Sequence, residues 1–184
     1  MKNLKLRISI IGMPGSGKTT LSRMLSDMLN LMYISVNELA TINNVTHPLA
    51  VHQLVMDTIG DSESYILDGY PGSLEQAKKD LPHIDGVIFL TAPAWMCAER
   101  LKTAGFTMDY ICDRMETYVE TIQQLQGHYI KRGILKRIHS EANKTEVFGK
   151  AIVQLSKLGL TELERRINEY LRQPRGNKRP GNSA

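Results

Sequence analysis

Short apolar runs and helix-length amphipathic stretches alternate along this 184-residue chain. Residues 4–11 are rich in β-branched side chains and stop at Gly12, which predicts a buried strand. Residues 19–29 set Leu21, Met24, Leu25 and Met28 at helical spacing. Further strands are predicted at Met32–Ser35, 65–67, Gly86–Thr91 and 135–138. Helical stretches fall between them at Pro48–Ile59, 74–79, 93–102, 107–132 and 144–158. Strands separated by helix-length segments cannot pair as hairpins, so the pattern predicts an α/β fold: a parallel sheet of five strands with helices on both faces.

The longest helix carries Met108, Ile111, Met115, Tyr118, Ile122, Leu125 and Tyr129 on one stripe, predicted to face the core. Arg114 stands about 80° from the centre of that stripe, at its boundary. Near the C-terminal end, Thr161-Glu162-Leu163-Glu164 fits a capping box, and Leu163, Ile167 and Leu171 form an apolar stripe, so a last helix is expected to pack back on the domain. Trp95 and Met96, at the start of a predicted helix, are expected in the core. The chain reads as one domain over residues 1–172, with no internal repeat and no internal linker.

Charge changes this picture in two places. Residues 172–184 hold Arg172, Arg175, Lys178 and Arg179 with no acid, so the formal charge of +4 belongs to this tail and the rest is neutral. Its Pro, Gly, Asn and Ser content cannot bury apolar surface, and residues 173–184 are expected to be disordered. Four charges without interleaved aromatics do not make a nucleic-acid arm. By contrast, no lysine or arginine occurs between Arg23 and Lys78, a stretch with Asp27, Glu38, Asp57, Asp61, Glu63, Asp68 and Glu75. That region is poorly equipped to grip a phosphate. Cys97 and Cys112 form no C-x-x-C and no cluster with the five histidines, which argues against a disulfide framework or a zinc site. With no apolar run near the roughly 20 residues of a membrane span, a soluble, cytoplasmic monomer is expected.

The strongest chemical signal is Gly12-Met13-Pro14-Gly15-Ser16-Gly17-Lys18-Thr19, a full match to G-x-x-x-x-G-K-[ST] between a predicted strand and a predicted helix. Glycines let consecutive backbone N–H groups turn inward around phosphate oxygens, and the helix N-terminus adds a favourable dipole. Lys18 can reach the β- and γ-phosphates while the Thr19 hydroxyl holds Mg²⁺. Asp68, at the C-terminal end of the third strand, is the second candidate metal ligand, against the alternative that Asp68-Gly69 is only a turn pair.

Order and spacing of these segments resemble the adenylate kinase family of nucleoside monophosphate kinases, a branch of the P-loop NTPases, in divergent and short-lidded form. Gly12–Thr20 is similar to the family's phosphate loop, residues 34–39 to its acceptor-site turn, and Leu67-Asp68-Gly69-Tyr70-Pro71 with Leu74-Glu75-Gln76-Ala77 to its L-D-G-[FY]-P-R-x-x-x-Q-A segment. Residues 87–90 with Glu99-Arg100-Leu101, then Arg114-Met115, Tyr118, Tyr129, Gly133, Ile138 and Val147-Phe148, resemble its later elements. The resemblance implies a three-layer P-loop NTPase fold, ATP as donor bound at residues 12–20 including Thr20, and Mg²⁺. It implies Arg100 beside the donor adenine and phosphates, Arg114 at the transferring phosphoryl group, Gln76 on the acceptor base, and Gly69 and Glu38 on the acceptor side. Without it, Arg100 and Arg114 read as solvated helix arginines and Gln76 equally as a surface glutamine.

The departures are specific. The arginine that would follow Pro71 is Gly72, the one expected near Thr41 is missing, and the segment 101–106 is a vestigial lid in which Lys102 is the sole cation. The acceptor insert, residues 38–64, is reduced. Thr19 stands where adenylate kinases usually have glycine, and Gly-Lys-Thr-Thr is commoner in other small-molecule P-loop kinases. Three functions follow. The first is phosphoryl transfer from Mg-ATP to a nucleoside monophosphate. The second is a P-loop kinase for a hydroxyl acceptor, with Asp68 or Glu38 as general base. The third is a nucleotide-binding protein without kinase activity. A polynucleotide 5′-kinase is a weaker form of the second, since no basic stripe lies outside the tail.

Overall fold

The computed structural model describes residues 5–79 and 82–173. The strands are β1 (Leu6–Gly12), β2 (Met32–Ser35), β3 (Ser64–Asp68), β4 (Gly86–Thr91) and β5 (Leu135–His139). The helices are α1 (Lys18–Leu29), α2 (Val36–Ile42), α3 (Pro48–Ile59), α4 (Leu74–Ala77), α5 (Ala94–Thr103), α6 (Met108–Lys131), α7 (Lys144–Ser156) and α8 (Thr161–Arg172). The strands form one all-parallel sheet in the order β2-β3-β1-β4-β5, with β1 at the centre. Helices cover both faces, the three-layer arrangement expected of a P-loop NTPase.

Alternation along each strand divides the core in two. Leu6, Ile8 and Ile10 of β1, Ile66 of β3 and Ile88 and Leu90 of β4 face α1, α7 and α8, meeting Leu21, Leu25, Ala151, Leu155 and Leu163. Ile11, Tyr65, Leu67, Val87 and Phe89 face the other way, against Val55, Ile59, Ile122, Leu125 and Tyr129 of α3 and α6. Because both faces are covered, the central strands carry almost continuous apolar sequence, which is what made them readable. All five carboxyl ends open on one edge, where a doubly covered sheet leaves a crevice. The register sets Ile10 and Ser35 beside Asp68, and Gly12 beside Leu90, so the loop after β1 emerges between the ends of β3 and β4.

Several expectations change. Trp95 is 68% exposed, although it was expected in the core. The stripe of α6 is buried at Ile111, Ile122, Leu125 and Tyr129, but Met108 at its start is exposed. Both lie in the first turn of their helices, Trp95 in α5 and Met108 in α6. Helix α4 is shorter than expected, at four residues. The capping box at Thr161 does not form, since Leu160 occupies the N-cap and no side chain caps α8. That helix is fastened instead by Arg166, which donates to the Leu29 and Asn30 carbonyls at the end of α1 and to Ser64 Oγ. Glu162, 3% exposed, accepts from Arg166 and Arg165. Of the expected basic tail, residues 173–184, all but Gln173 lie outside the described residues.

Candidate active site

Two glycines shape the loop between β1 and α1. A side chain at Gly15, where φ is +78°, would run into the backbone carbonyl of Cys97 in α5. One at Gly12 would run into the Leu90 carbonyl of β4. The backbone of the loop is thus pressed against two neighbouring elements, which only glycine permits. Met13 accepts at its carbonyl from the Ser16 N–H, closing the turn at 3.0 Å. Gly17 is the N-cap of α1 and supplies no side-chain cap, so the first N–H groups of this helix stay open. Ser16 Oγ is buried there without a hydrogen-bond partner. Open N–H groups, a helix dipole and an unpartnered buried hydroxyl make an anion-binding cradle.

Lys18 crosses this cradle. Its Nζ donates to the Met13 carbonyl at 3.0 Å. Burial lowers its pKa below the ordinary lysine value, the Asp68 carboxylate works against that shift, and Arg114 adds to it. A half-buried ammonium held by one carbonyl and a nearby carboxylate is a group arranged to meet further negative charge. Arg114 is exposed on α6, further from the core than the boundary position expected of it, and it acts on the Lys18 charge.

Asp68 ends β3 and is 4% exposed. Its Oδ2 accepts from Thr19 Oγ1 at 2.6 Å and from the Tyr33 hydroxyl at 3.0 Å. The sequence brought Thr19 and Asp68 forward as partners for one metal ion, and the fold sets them side by side. Tyr33 was not anticipated: it lies 35 positions from Asp68 and no spacing motif contains it. A hydroxyl and a carboxylate beside a phosphate cradle are hard oxygen donors suited to Mg²⁺, which takes one or two protein ligands and completes its shell from water and substrate phosphates. Among the described residues no group of three or more His, Cys, Asp or Glu could hold a metal without such help.

On the other side of the loop, Arg100 of α5 is not a solvated arginine. Its Nη2 donates to the Ser140 carbonyl at 2.9 Å and its Nη1 to the Gly15 carbonyl at 3.4 Å, tying the loop to the end of β5. It borders a cavity of about 190 Å³ lined also by Thr20, Leu21, Leu90, Ala142 and Val147. Toward β2, Glu38 in the first turn of α2 accepts from Arg23 Nη2 at 3.1 Å. Gly69 follows Asp68 with φ +82°, and its N–H donates to the Ile10 carbonyl. Gln76 is buried, which removes the surface reading. Its Nε2 donates to the Pro48 carbonyl and its Oε1 accepts from the Gly72 N–H, both at 2.8 Å. An acceptor base would therefore find only one N–H and one lone pair of that amide uncommitted.

No protein-family model matches the chain. The adenylate kinase of Mycobacterium leprae is 30% identical over 183 aligned residues, covering 83% of this chain and the whole of that protein. The chain belongs to the adenylate kinase family. Adenylate kinases of Mycolicibacterium paratuberculosis and Mycobacterium tuberculosis match over the same extent, at 30% and 29% identity. Family membership agrees with the order of the sheet, the loop at the end of its central strand, and the gathering of Lys18, Thr19, Asp68 and Arg100 around it. In this family member the described residues contain no helix long and apolar enough to cross a membrane.

Proposed function

We propose that the protein is an ATP-dependent nucleoside monophosphate kinase. The observation that carries this reading is the Thr19–Asp68 pair at the lip of an uncapped phosphate cradle crossed by a half-buried lysine. The triphosphate lies along residues 12–20, with the Gly15, Ser16, Gly17, Lys18, Thr19 and Thr20 backbone wrapping it and the adenine entering the cavity beside Arg100 and Ser140. An oxygen of the acceptor phosphate attacks the γ-phosphorus in line. The bond from that phosphorus to the ADP oxygen breaks, and ADP leaves with the electron pair.

Lys18, Arg100 and Arg114 stabilise the charge spread over the transferring group, and a single well-placed arginine is worth roughly 10³–10⁵ in rate. Thr19 and Asp68 would hold Mg²⁺, which would supply charge neutralisation at the phosphates. A phosphate nucleophile is already ionised, so no protein base is needed. Glu38, Gly69 and Gln76 shape the acceptor side, Gln76 by bracing Gly72 against the start of α3. The reading takes the protein to be a cytoplasmic monomer.

The test is ADP formation from Mg-ATP with each nucleoside monophosphate beside an acceptor-free control. Stimulation by a monophosphate, lost in Lys18→Ala, is the expected result; activity that survives Lys18→Ala overturns it. The acidic stretch from Asp27 to Glu75 favours a second reading, a neutral or cationic alcohol as acceptor with Asp68 or Glu38 as base. That reading requires phosphorylation of a hydroxyl that disappears in Asp68→Asn or Glu38→Gln while ATP still binds.

A further inference from the structure

We propose that Arg23 is the cation that receives the acceptor's phosphate, a role that rests on the kinase reading above. Residues 24–77 build β2, α2, α3, β3 and the turn after Asp68 without one lysine or arginine. The half of the carboxyl edge beside Asp68 therefore draws on side chains from outside that stretch for positive charge. Lys18 and Arg100 are bound to the loop carbonyls, and Arg114 acts on Lys18 from α6. Lys5 and Arg7 pair with Glu63 and Asp85 at the opposite, amino edge of the sheet.

Arg23, on the second turn of α1, is placed differently. Its guanidinium lies over the ring of Tyr33, 4.8 Å from the centroid. The hydroxyl of that same ring donates to Asp68 Oδ2, which also accepts from Thr19. One tyrosine thus separates the guanidinium from the carboxylate at the reaction centre. The present partner of Arg23 is Glu38, at 3.1 Å, with side-chain exposures of 55% and 56%. A pair this exposed is weakly held, because water screens it and two long side chains must be ordered to keep it. A phosphate carries more charge than a carboxylate and accepts the planar fork bidentately, so it can take Arg23 from Glu38 while the ring keeps the guanidinium in place. Glu38 would then occupy the cation until an acceptor arrives.

Calorimetric titration of AMP into the full chain tests this directly, with Mg-ADP titrated in parallel. Arg23→Ala is expected to weaken AMP binding by about 10–100-fold, the worth of a charged hydrogen bond, and to leave Mg-ADP binding unchanged. Glu38→Gln is expected to tighten AMP binding, an effect opposite in sign that no folding defect imitates. Lys79→Ala serves as comparison, since Lys79 acts on His52 of α3; its AMP affinity should equal that of the parent protein.

Equal AMP affinity in the parent and Arg23→Ala overturns the assignment, as does a loss that appears in Lys79→Ala instead. No AMP binding by the parent protein overturns it too. Arg23-dependent AMP binding without ADP formation on any nucleoside monophosphate leaves the assignment standing and removes the kinase reading.

Discussion

Thr19 Oγ1 donates to Asp68 Oδ2 at 2.6 Å, joining the first turn of α1 to the end of β3 across 49 positions of sequence. This bond aligns the two oxygen ligands proposed for Mg²⁺ before nucleotide arrives. Tyr33, donating to the same carboxylate oxygen, fixes its orientation from β2.

Asp68→Asn keeps the side chain's shape and removes its charge. Turnover is expected to fall by about 10²–10³-fold, with nucleotide still bound and more Mg²⁺ needed for half-maximal rate. Tyr33→Phe removes one neutral donor and should cost only about fivefold. Steady-state kinetics over a Mg²⁺ series distinguishes the two, and equal losses would contradict the difference in role.

Arg100→Ala cuts the link between the phosphate loop and the end of β5. Both the Gly15 and Ser140 carbonyls lose a charged donor. The expected result is a fall in kcat/KM for ATP of about 10²-fold or more, since the side chain serves both the donor cavity and the transferring charge. A change confined to melting temperature would make Arg100 a structural tie only.

These residues show where the sequence was legible and where it was not. The loop, Lys18 and Thr19 lie in one contiguous motif, and the central strands announce themselves because burial on both faces leaves them few polar positions. Long-range pairings have no such signature: Tyr33 reaches Asp68, Arg23 reaches Glu38, and Arg166 reaches the end of α1 through the fold alone. Trp95 and the start of α6 misled for a related reason. An apolar stripe records which side of a helix is apolar, not how far along the helix a neighbour covers it, and the first turns of α5 and α6 leave Trp95 and Met108 exposed. At Thr161 the local pattern was right by composition but one residue displaced, because Leu160 holds the cap position.

Arg166→Ala should destabilise the fold without touching the chemistry. It uncaps the Leu29 and Asn30 carbonyls and leaves the buried Glu162 with Arg165 alone. The expected loss is about 2–4 kcal/mol, read as a melting temperature lower by about 4–16 °C. A shift of about one degree or less would mean that α8 is held by its apolar side alone.

Acid should weaken the protein through His52 and His128. Burial lowers both pKa values below 6.5, with Lys79 adding to the first and Arg132 and Lys78 to the second. The unfolded chain therefore binds protons that the native state refuses, so stability rises with pH through this window. The contribution is complete above about pH 6.5 and is lost as pH falls through the lowered native values. Glu162, whose carboxylate is held below its usual range by hydrogen bonds from Arg165 and Arg166, extends the decline to lower pH. Denaturant titrations between pH 5 and pH 8 should show this slope, flattened in a His52→Gln, His128→Gln double variant. Stability that does not change on acidification would contradict it.

The central claim is that the cradle around Lys18 drives phosphoryl transfer to a nucleoside monophosphate. Its most direct test is ADP production from Mg-ATP by the parent protein and by Lys18→Ala, with AMP, CMP, UMP, GMP and their deoxy forms each supplied as acceptor. The account predicts stimulation by at least one monophosphate in the parent and none in the variant. Equal rates with and without every monophosphate, in protein that binds ATP, would contradict it.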